Sequence, residues 1–414
     1  MMDLTLSSRM KMLTRLCWLL FGLVPALIPA LGGAQGGANV RTPVRTPVVE
    51  GPFHVVFTSD AHFGLQRPHF RGSDSVDAVV VNTALMAAVN RLPALALPAD
   101  GGVGAGASIG RIEALIEGGD IANRAEGGVQ PALRSWQQFL TVYRDGLHTT
   151  DRSGAPTALW PIVGNHDASN AIGFYRPLAP GADPVAWLGI YNMTMRPAAP
   201  LTAGNFKESR DRVHFVRDVG GVHFLFVHIW PDSVERAWIA RELSRIPATM
   251  PVVLFTHDQP VVESKHFINP NGAGDINPRD KFENLLTERL RSGLSTESPA
   301  VVEQRSLASF IRRYPNIRGY FHGNSNAHEF YDWTGPDGDI RLPVFRVDSP
   351  MKGAKSASDE TLLSFMVISI SADGARLTAR ECRYNAGANA GANAGAGAGA
   401  GAISWGETRT VVLK

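Results

Sequence analysis

Cysteine is scarce in this sequence. The 414 residues include two, Cys17 and Cys382, and Cys17 lies at the start of an apolar run near the N-terminus. If that N-terminal segment is removed, one cysteine remains and no disulfide can form within the chain. Stability must then come from a hydrophobic core. With 44% apolar residues, a chain of this length can form one large domain or two smaller ones.

An excess of one charge is also missing. Residues 1–34 hold three of the 40 basic residues and one of the 38 acidic residues, so the rest of the chain carries 37 of each. A neutral chain gives no indication of nucleic acid or of an anionic membrane surface as a partner.

The apolar run near the N-terminus is shorter than the roughly 20 residues that a membrane-spanning helix needs. This run, residues 16–31, contains two prolines, follows three basic residues and precedes Gly32-Gly33-Ala34. That order is typical of a secretory signal peptide. We therefore predict a signal peptide over residues 1–34 and export to the periplasm or out of the cell. The alternative, a stable membrane anchor, is disfavoured by the length and the prolines.

Two further segments have a composition that is too simple for a packed core. Residues 35–51 are rich in glycine, proline and threonine and are predicted to form a flexible leader. Residues 386–402 are an Ala/Gly repeat, predicted to be a disordered insertion between two adjacent strands. The remaining chain, residues 52–414, is predicted to be one domain that contains this insertion.

The first half of that domain alternates strands with helices. Apolar runs predict strands at 55–57, 112–117 and 158–163, and helical periodicity predicts helices at 76–91 and 129–149. This alternation implies parallel strands joined by crossover helices. In the second half the patterns predict strands at 213–216, 222–229, 252–255, 317–321, 327–333, 340–347, 361–370, 376–383 and 404–413, and helices at 233–245, 281–290 and 302–312.

Polar residues follow five of these apolar strands. The clusters are Asp60 with His62, Asp120, Asn165 with His166, His257, and residues 322–328. Ligands collect at the carboxyl ends of strands in α/β sheets. Asp, His and Asn side chains suit Zn, Mn or Fe, and two ions ~3.5–4 Å apart can hold a phosphate and generate hydroxide at neutral pH. The five strand ends together predict a metal site.

The order of these motifs resembles the calcineurin-like metallophosphoesterase family. The matching segments are Asp60-Ala61-His62, Gly119-Asp120, Gly164-Asn165-His166-Asp167 and the single His257, within a region from about Phe53 to Asp348. The resemblance implies an α/β fold, a four-layer α-β-β-α sandwich with two mixed central sheets. It also implies a site for two divalent metal ions, with Mn, Fe, Zn and Mg all open.

The resemblance also implies a role for each matching residue. Asp60 and His62 would bind the first metal, Asp120 would bridge both, and Asn165 and His257 would bind the second. His166 would be catalytic, donating to a phosphate oxygen or protonating the leaving group. Asp167 would orient its imidazole.

The last motif departs from the family pattern. Where the family has Gly-His-x-His, this chain has Gly323-Asn324-Ser325-Asn326. Asn324 falls in the place of a second-metal histidine and Asn326 in that of a first-metal histidine. An amide oxygen is a weaker ligand than imidazole for transition metals. His322 and His328 are nearby, out of register, and are the alternative ligands.

Three other segments could reach the site. Arg124 is either a phosphate contact or a solvated loop charge, and His228 with Trp230 either lines the pocket or packs in the core. The loop 262–279 could cover the site, and His266 within it is expected at the surface.

These observations predict an exported metal-dependent phosphoesterase that acts on a phosphate monoester or diester. The alternative is a catalytically reduced or inactive relative that binds a phosphorylated ligand, because Asn324 and Asn326 replace expected ligands.

Overall fold

A computed structural model describes residues 51–125, 128–173, 182–269, 282–290, 300–387 and 401–414. The predicted signal peptide, nearly all of the predicted leader and most of the Ala/Gly repeat lie outside these residues. So does the second part of the loop 262–279, from residue 270 onward.

The first sheet combines the parallel strands of the N-terminal half with antiparallel strands from the C-terminus. Its order is β14-β13-β12-β1-β4-β5. Strand β1 pairs in parallel with β4, and β4 with β5, whereas β1 pairs antiparallel with β12. The strands are β1 (Phe53–Thr58), β4 (Ala114–Glu117), β5 (Ala158–Pro161), β12 (Ser364–Ile370), β13 (Arg376–Arg383) and β14 (Ser404–Val412).

The second sheet is also mixed and has the order β10-β11-β9-β8-β7-β6. Its central strands β7, β8, β9 and β11 are parallel, and its two edge strands are antiparallel to their neighbours. The strands are β6 (Phe215–Val219), β7 (Val222–Phe226), β8 (Val252–Phe255), β9 (Ile317–His322), β10 (Glu329–Trp333) and β11 (Leu342–Arg346).

Six α-helices and a small hairpin complete the described part of the chain. The helices are α1 (Ala78–Arg91), α2 (Ala132–Phe139), α3 (Asn165–Ile172), α4 (Val185–Met195), α5 (Ser233–Leu243) and α6 (Val301–Arg313), and the hairpin is β2 (Gln66–Phe70) with β3 (Ser73–Asp77). Within these ranges, each helix is too short or too polar to cross a membrane.

Aromatic side chains join the facing sides of the two sheets. Phe57 of β1 lies edge-on to Phe255 of β8 and to Phe321 of β9, with ring centroids 5.5 and 6.1 Å apart. Trp160 of β5 contacts Phe226 of β7 at 5.7 Å. Such pairs bury large apolar areas and fix the two sheets against each other. The predicted four-layer α-β-β-α fold with two mixed sheets is confirmed.

The helix predicted at 281–290 is wrong. Its apolar residues have helical spacing, but residues 282–290 are irregular and form backbone hydrogen bonds with residues 265–268 instead of with one another. The helix predicted at 129–149 is shorter than expected. It begins at Ala132 and continues through one π-helical turn, Leu140–Arg144. The hairpin β2–β3 and the helices α3 and α4 were not predicted.

Candidate metal centre

Four strands, three from the first sheet and one from the second, end near the same place. Asp60 and His62 follow β1, Asp120 follows β4, and His257 follows β8, while Asn165 begins helix α3 directly after β5. In α/β sheets the carboxyl ends of parallel strands form the usual ligand site. Residues that span about half of the chain therefore meet at one edge of the two sheets.

Asp120 is at the centre of this cluster. Its Oδ2 is 3.6 Å from His62 Nε2 and its Oδ1 is 3.4 Å from His257 Nε2. His62 Nε2 is also 3.6 Å from Asp60 Oδ1, and His257 Nε2 is 3.0 Å from Asn165 Oδ1. The carboxylate of Asp120 thus lies between one pair of side chains and the other, the position that a bridging ligand requires.

Side-chain atoms that could bind a cation form two overlapping groups. Asp60, Asp120 and His257 make one group, and His62, Asp120 and His166 make the other, with atoms within 4.8 Å of one another in each. Asp60 Oδ1 and both ring nitrogens of His62 are fully buried and have no hydrogen-bond partner among the described residues. Leaving such groups unpaired is costly, so this donor set fits divalent cations held by oxygen and imidazole nitrogen.

The backbone around the cluster is strained. Left-handed φ angles occur at Asp60 (59°), His62 (41°), Asp120 (58°), Asn324 (59°) and Asn326 (51°). For residues other than glycine such angles are uncommon and concentrate at functional sites. They turn the chain sharply after each strand, so that the side chains point to one place.

Two glycines allow the elements to approach closely. A Cβ atom on Gly164 would overlap the backbone nitrogen and the carboxylate of Asp120, and one on Gly323 would overlap Ser59 Oγ. Both positions therefore require glycine, because side chain and backbone already fill the space.

Glu283 fixes the amide of Asn165. Asn165 Nδ2 donates to Glu283 Oε2 at 3.1 Å, so Asn165 Oδ1 faces His257. The same carboxylate accepts a hydrogen bond from Ser169 Oγ at 2.8 Å and pairs with Arg124 at 2.6 Å. Glu283 lies in the segment for which a helix was predicted, and no strand-end pattern in the sequence indicated it.

The two asparagines of the last motif have their amide NH2 groups engaged in the same way. Asn324 Nδ2 donates to Glu263 Oε1 at 2.9 Å and to Gln259 Oε1 at 3.2 Å. Asn326 Nδ2 donates to the carbonyl oxygen of Asn324 at 2.7 Å. Asn326 Oδ1 is buried and has no partner among the described residues. The NH2 groups are thus used within the protein, which leaves carbonyl oxygens as the available donors.

The charge state of the cluster follows from its burial and its neighbours. Burial disfavours ionisation of Asp120, but the imidazoles of His166, His257 and His62 outweigh this and hold the pKa of Asp120 well below its usual range. Burial alone would lower the pKa of His257, yet the carboxylate of Asp120 raises it well above the ordinary value. A negative charge is therefore retained at the centre of the site.

His166 is neutral and has a defined tautomer. Burial lowers its pKa well below the ordinary value, against the opposing effect of Asp120. The backbone N–H of Arg124 donates to His166 Nδ1 at 3.1 Å, so the ring proton is on Nε2. Nε2 faces the cluster, 3.7 Å from Asp120 Oδ2. His166 can therefore donate a hydrogen bond to a group bound there.

The orienting role expected for Asp167 is wrong. Its carboxylate accepts hydrogen bonds from three backbone amides, those of Ile121, Ala122 and Gly164, at 2.9–3.2 Å. These bonds lock the turn after β4 onto the start of α3. Arg124, through its backbone N–H, orients the imidazole of His166 instead.

His322 and His328, the alternative ligands, form their side-chain contacts away from the cluster. His322 Nε2 is 3.1 Å from Tyr331 Oη, and His328 Nε2 is 3.2 Å from Glu407 Oε2. Neither belongs to the two groups of ligand atoms. The hydroxyl and carboxylate partners provided by β10 and β14 were not evident from sequence spacing.

Three residues outside the cluster, His266, Arg124 and Trp230, are all largely buried. His266 was expected at the surface, but it is fully buried and its Nδ1 is 2.5 Å from Asp258 Oδ2, because the irregular segment 282–290 covers it. The side chain of Arg124 is in an ion pair with Glu283 and is not a solvated charge. Trp230 is fully buried in the core, and His228 packs on Trp187 with ring centroids 4.5 Å apart.

No family model and no curated protein matches the sequence. Among solved structures, a dimetal phosphatase from Danio rerio is similar with a TM-score of 0.46 and 9% identity, covering 88% of this chain and 100% of that one. A calcineurin-like phosphoesterase from Bacillus subtilis has a TM-score of 0.32 and 11% identity, covering 87% and 90%. Vps29 with zinc from Entamoeba histolytica has a TM-score of 0.30 and 10% identity, covering 87% and 100%.

The chain resembles the calcineurin-like metallophosphoesterases in two respects. Its motifs Asp60-Ala61-His62, Gly119-Asp120 and Gly164–Asp167 follow the family order, and its two mixed sheets form the architecture that this order implies.

Proposed function

We propose that the protein is a metal-dependent phosphoesterase. The observation that carries this proposal is the position of Asp120, whose two carboxylate oxygens lie 3.6 Å from His62 Nε2 and 3.4 Å from His257 Nε2. A carboxylate shared between two imidazoles at one sheet edge suits two adjacent cations, and such pairs are used in phosphate ester hydrolysis.

The residues divide between two cation positions. By the family pattern, Asp60, His62 and Asn326 would hold one ion, Asn165, His257 and Asn324 the other, and Asp120 both. Asp60 also has a ligand atom within 4.8 Å of those of Asp120 and His257, so it lies beside the shared carboxylate. When bound, the two ions would neutralise phosphate charge and activate water. His166, neutral with its proton on Nε2, would donate that proton as a hydrogen bond to the phosphoryl group or to the leaving oxygen.

The donor set favours hard cations. Three of the seven proposed ligands are asparagines, whose amide NH2 groups are already engaged by Glu283, by Glu263 with Gln259, and by the backbone. Amide and carboxylate oxygens are preferred by Mn²⁺ and Mg²⁺ over Zn²⁺. We therefore propose Mn²⁺ or Mg²⁺ as the resident ions and a phosphate monoester or diester as the substrate.

The second candidate is a binding protein for a phosphorylated ligand with little or no hydrolysis. It is favoured by one observation, the replacement of two expected histidines by Asn324 and Asn326. Weaker donors reduce cation affinity, and a site that holds one ion would still bind phosphate.

Metal analysis and turnover distinguish the two candidates. Purified protein is dialysed, its metal content is measured, and hydrolysis of p-nitrophenyl phosphate and bis(p-nitrophenyl) phosphate is assayed with Mn²⁺, Mg²⁺ or Zn²⁺. We expect two ions per chain with Mn²⁺ present and hydrolysis that is abolished in Asp120→Asn. Stable binding of two ions without turnover of either substrate would contradict the hydrolase and leave the binding protein.

Export is proposed from the sequence of residues 1–34 alone. Expression in a bacterial host should give protein that is recovered outside the cytoplasm with a new N-terminus near Gln35. Recovery of the full chain in the cytoplasm or the membrane fraction would overturn this proposal.

A further inference from the structure

Lys352 lies on the loop that follows β11, and this loop is fastened to the candidate metal centre. Ser349 Oγ donates to the carbonyl oxygen of Asp60 at 2.9 Å. The same hydroxyl accepts the backbone N–H groups of Met351 and Lys352 at 3.2 and 2.9 Å. The backbone N–H of Lys352 is thus linked through Ser349 Oγ to the carbonyl oxygen of Asp60, a proposed metal ligand.

The ammonium of Lys352 faces His166. Lys352 Nζ is 3.3 Å from His166 Nε2. Because Nδ1 of this imidazole accepts the N–H of Arg124, Nε2 carries the ring proton. Two hydrogen-bond donors therefore point at each other with no acceptor between them. An oxygen atom of an anion placed beside both would accept from each.

Lys352 has no counter-ion among the described residues, unlike the other cations near it. The neighbouring cations Arg124 and Lys265 both approach Glu283 Oε1, at 2.6 and 3.8 Å. No described carboxylate forms an ion pair with Lys352, although Asp120 and Asp60 are close enough to oppose the lowering of its pKa by burial. Its charge is thus available to a ligand.

We infer that Lys352 contacts the substrate, and that its ammonium and His166 Nε2–H together bind a non-bridging phosphoryl oxygen. The inference rests on the proposed phosphoesterase function. It also names the substrate class, because a further positive charge beside two cations favours the dianionic phosphoryl group of a monoester over the monoanionic group of a diester.

The test compares Lys352→Met and Lys352→Arg with Lys355→Met. Lys355 is exposed on the same loop and serves as the matched control. Three quantities are measured on Mn²⁺-loaded protein: metal content, affinity for inorganic phosphate by calorimetry, and kcat/KM for p-nitrophenyl phosphate and bis(p-nitrophenyl) phosphate. Inorganic phosphate gives a readout that does not require turnover.

We expect Lys352→Met to weaken phosphate binding about 10-fold or more, as is typical for loss of a charge-assisted hydrogen bond. The ratio of monoester to diester kcat/KM should fall by a similar factor, with metal content unchanged. Lys352→Arg should restore part of the affinity, and Lys355→Met should match the parent.

Phosphate affinity within twofold of the parent in Lys352→Met would overturn the inference, as would a loss that is fully explained by lost metal. If phosphate binding depends on Lys352 but neither ester is hydrolysed, the inference stands and the proposed hydrolase fails. If both esters are hydrolysed with Lys352→Met equal to the parent, the inference alone fails.

Discussion

At the scale of single residues, the orientation of side-chain amides decides what the site can bind. An amide presents either its NH2 donors or its carbonyl oxygen to a ligand, and the partner of the NH2 group determines which side faces the ligand. Glu283 orients the amide of Asn165, since it accepts a hydrogen bond from Nδ2 and so turns Oδ1 toward His257. Glu283, which is not among the proposed ligands, thus orients Asn165 at the proposed second cation position.

Glu283→Gln should therefore weaken the second cation position selectively. The substitution keeps the shape but removes the carboxylate charge that Arg124 and Lys265 approach at 2.6 and 3.8 Å, and removing one partner of a largely buried ion pair costs about 3 kcal/mol. We expect a loss of stability of that order and loss of one of two ions on dialysis. Denaturant unfolding and metal analysis measure the two effects.

Glu303→Gln is the matched control for this change. Glu303 forms a partly exposed ion pair with Arg236 at 3.0 Å, away from the cluster. Its replacement should cost no more than about 1 kcal/mol and leave both ions bound. Equal metal content in Glu283→Gln and the parent would show that Asn165 needs no such support.

Asn324→His combined with Asn326→His should increase metal retention. Two imidazoles would replace two amide oxygens, which strengthens binding of Zn²⁺ more than that of Mn²⁺. The measurement is metal content of parent and double variant after dialysis against a chelator. If the parent already retains two ions and the variant retains no more, the asparagines are sufficient ligands and the weakened-site hypothesis is wrong.

At the scale of elements, the close approach of strand ends sets which residues can follow each strand. Strand β9 ends at His322, and Gly323 follows it against Ser59 and Asp60. The same strand contains Gly319, where a Cβ would meet Val253 Cγ1 at an ordinary 3.4 Å. Gly319 within β9 and Gly323 directly after it therefore have opposite expected tolerance to substitution.

Gly323→Ala should displace Asp60 and reduce metal binding at the first position. The added methyl overlaps Ser59 Oγ and the carboxylate of Asp60, and overpacking of this kind costs about 1–3 kcal/mol. Gly319→Ala should bind metal like the parent and unfold within about 1 kcal/mol of it. Metal content and unfolding midpoints are compared, and equal behaviour of the two variants would refute the distinction.

The strands and their polar ends were predictable because they rest on local patterns. Short apolar runs located β1, β4, β8 and β9, and the residues after them form the cluster. The start of α3 at Asn165 was missed because Gly164 and the polar residues after it look like a turn. The contact between Asp167 and the backbone after β4 depends on tertiary approach, as does the burial of His266 under residues 282–290. Neither has a local signal.

At the scale of the whole molecule, the Ala/Gly repeat is inserted where two strands of the first sheet pair. Arg383 is paired with Ser404, and the backbone N–H of Ala386 donates to the carbonyl oxygen of Ala402 at 3.0 Å. The two ends of the insertion thus meet, and the predicted resumption of adjacent strands on its two sides is confirmed.

Replacing residues 388–400 by Gly-Ser-Gly should leave stability nearly unchanged. Each halving of a flexible loop changes the closure cost by about 0.6 kcal/mol, so the expected stabilisation is about 1 kcal/mol. Thermal unfolding of the shortened chain and the parent is the measurement. A melting temperature lowered by many degrees would indicate that the repeat contributes packing.

The stability of the protein in acid should depend on His54. This residue is buried on β1 beside Ser369 of β12. Burial, with smaller contributions from Arg152 and Arg380, lowers its pKa from 6.5 to about 4. Between these values the unfolded chain binds a proton that the folded protein does not, so the free energy of unfolding falls as pH decreases from 6.5 to 4. The expected loss is about 3 kcal/mol.

His54→Gln should remove this part of the pH dependence. The glutamine does not titrate and can replace the hydrogen bond that His54 Nδ1 makes with Ser369 Oγ at 3.0 Å. His148→Gln, at an exposed position, is the control and should retain the dependence. Urea unfolding from pH 4 to 7 is the measurement, and parallel curves for His54→Gln and the parent would contradict the prediction.

The left-handed backbone at Asn324 and Asn326 also affects the protein in its metal-free state. Left-handed backbone costs L-residues in general about 1–2 kcal/mol, and asparagine reduces this cost because its short side chain can hydrogen-bond locally. Asparagine at these two positions thus combines weaker metal ligands with a lower backbone cost in the metal-free protein. Where manganese or magnesium is scarce, we expect such a metal-free protein to stay folded until it binds its ions. The two-histidine variant is expected to hold metal better but to be less stable without metal.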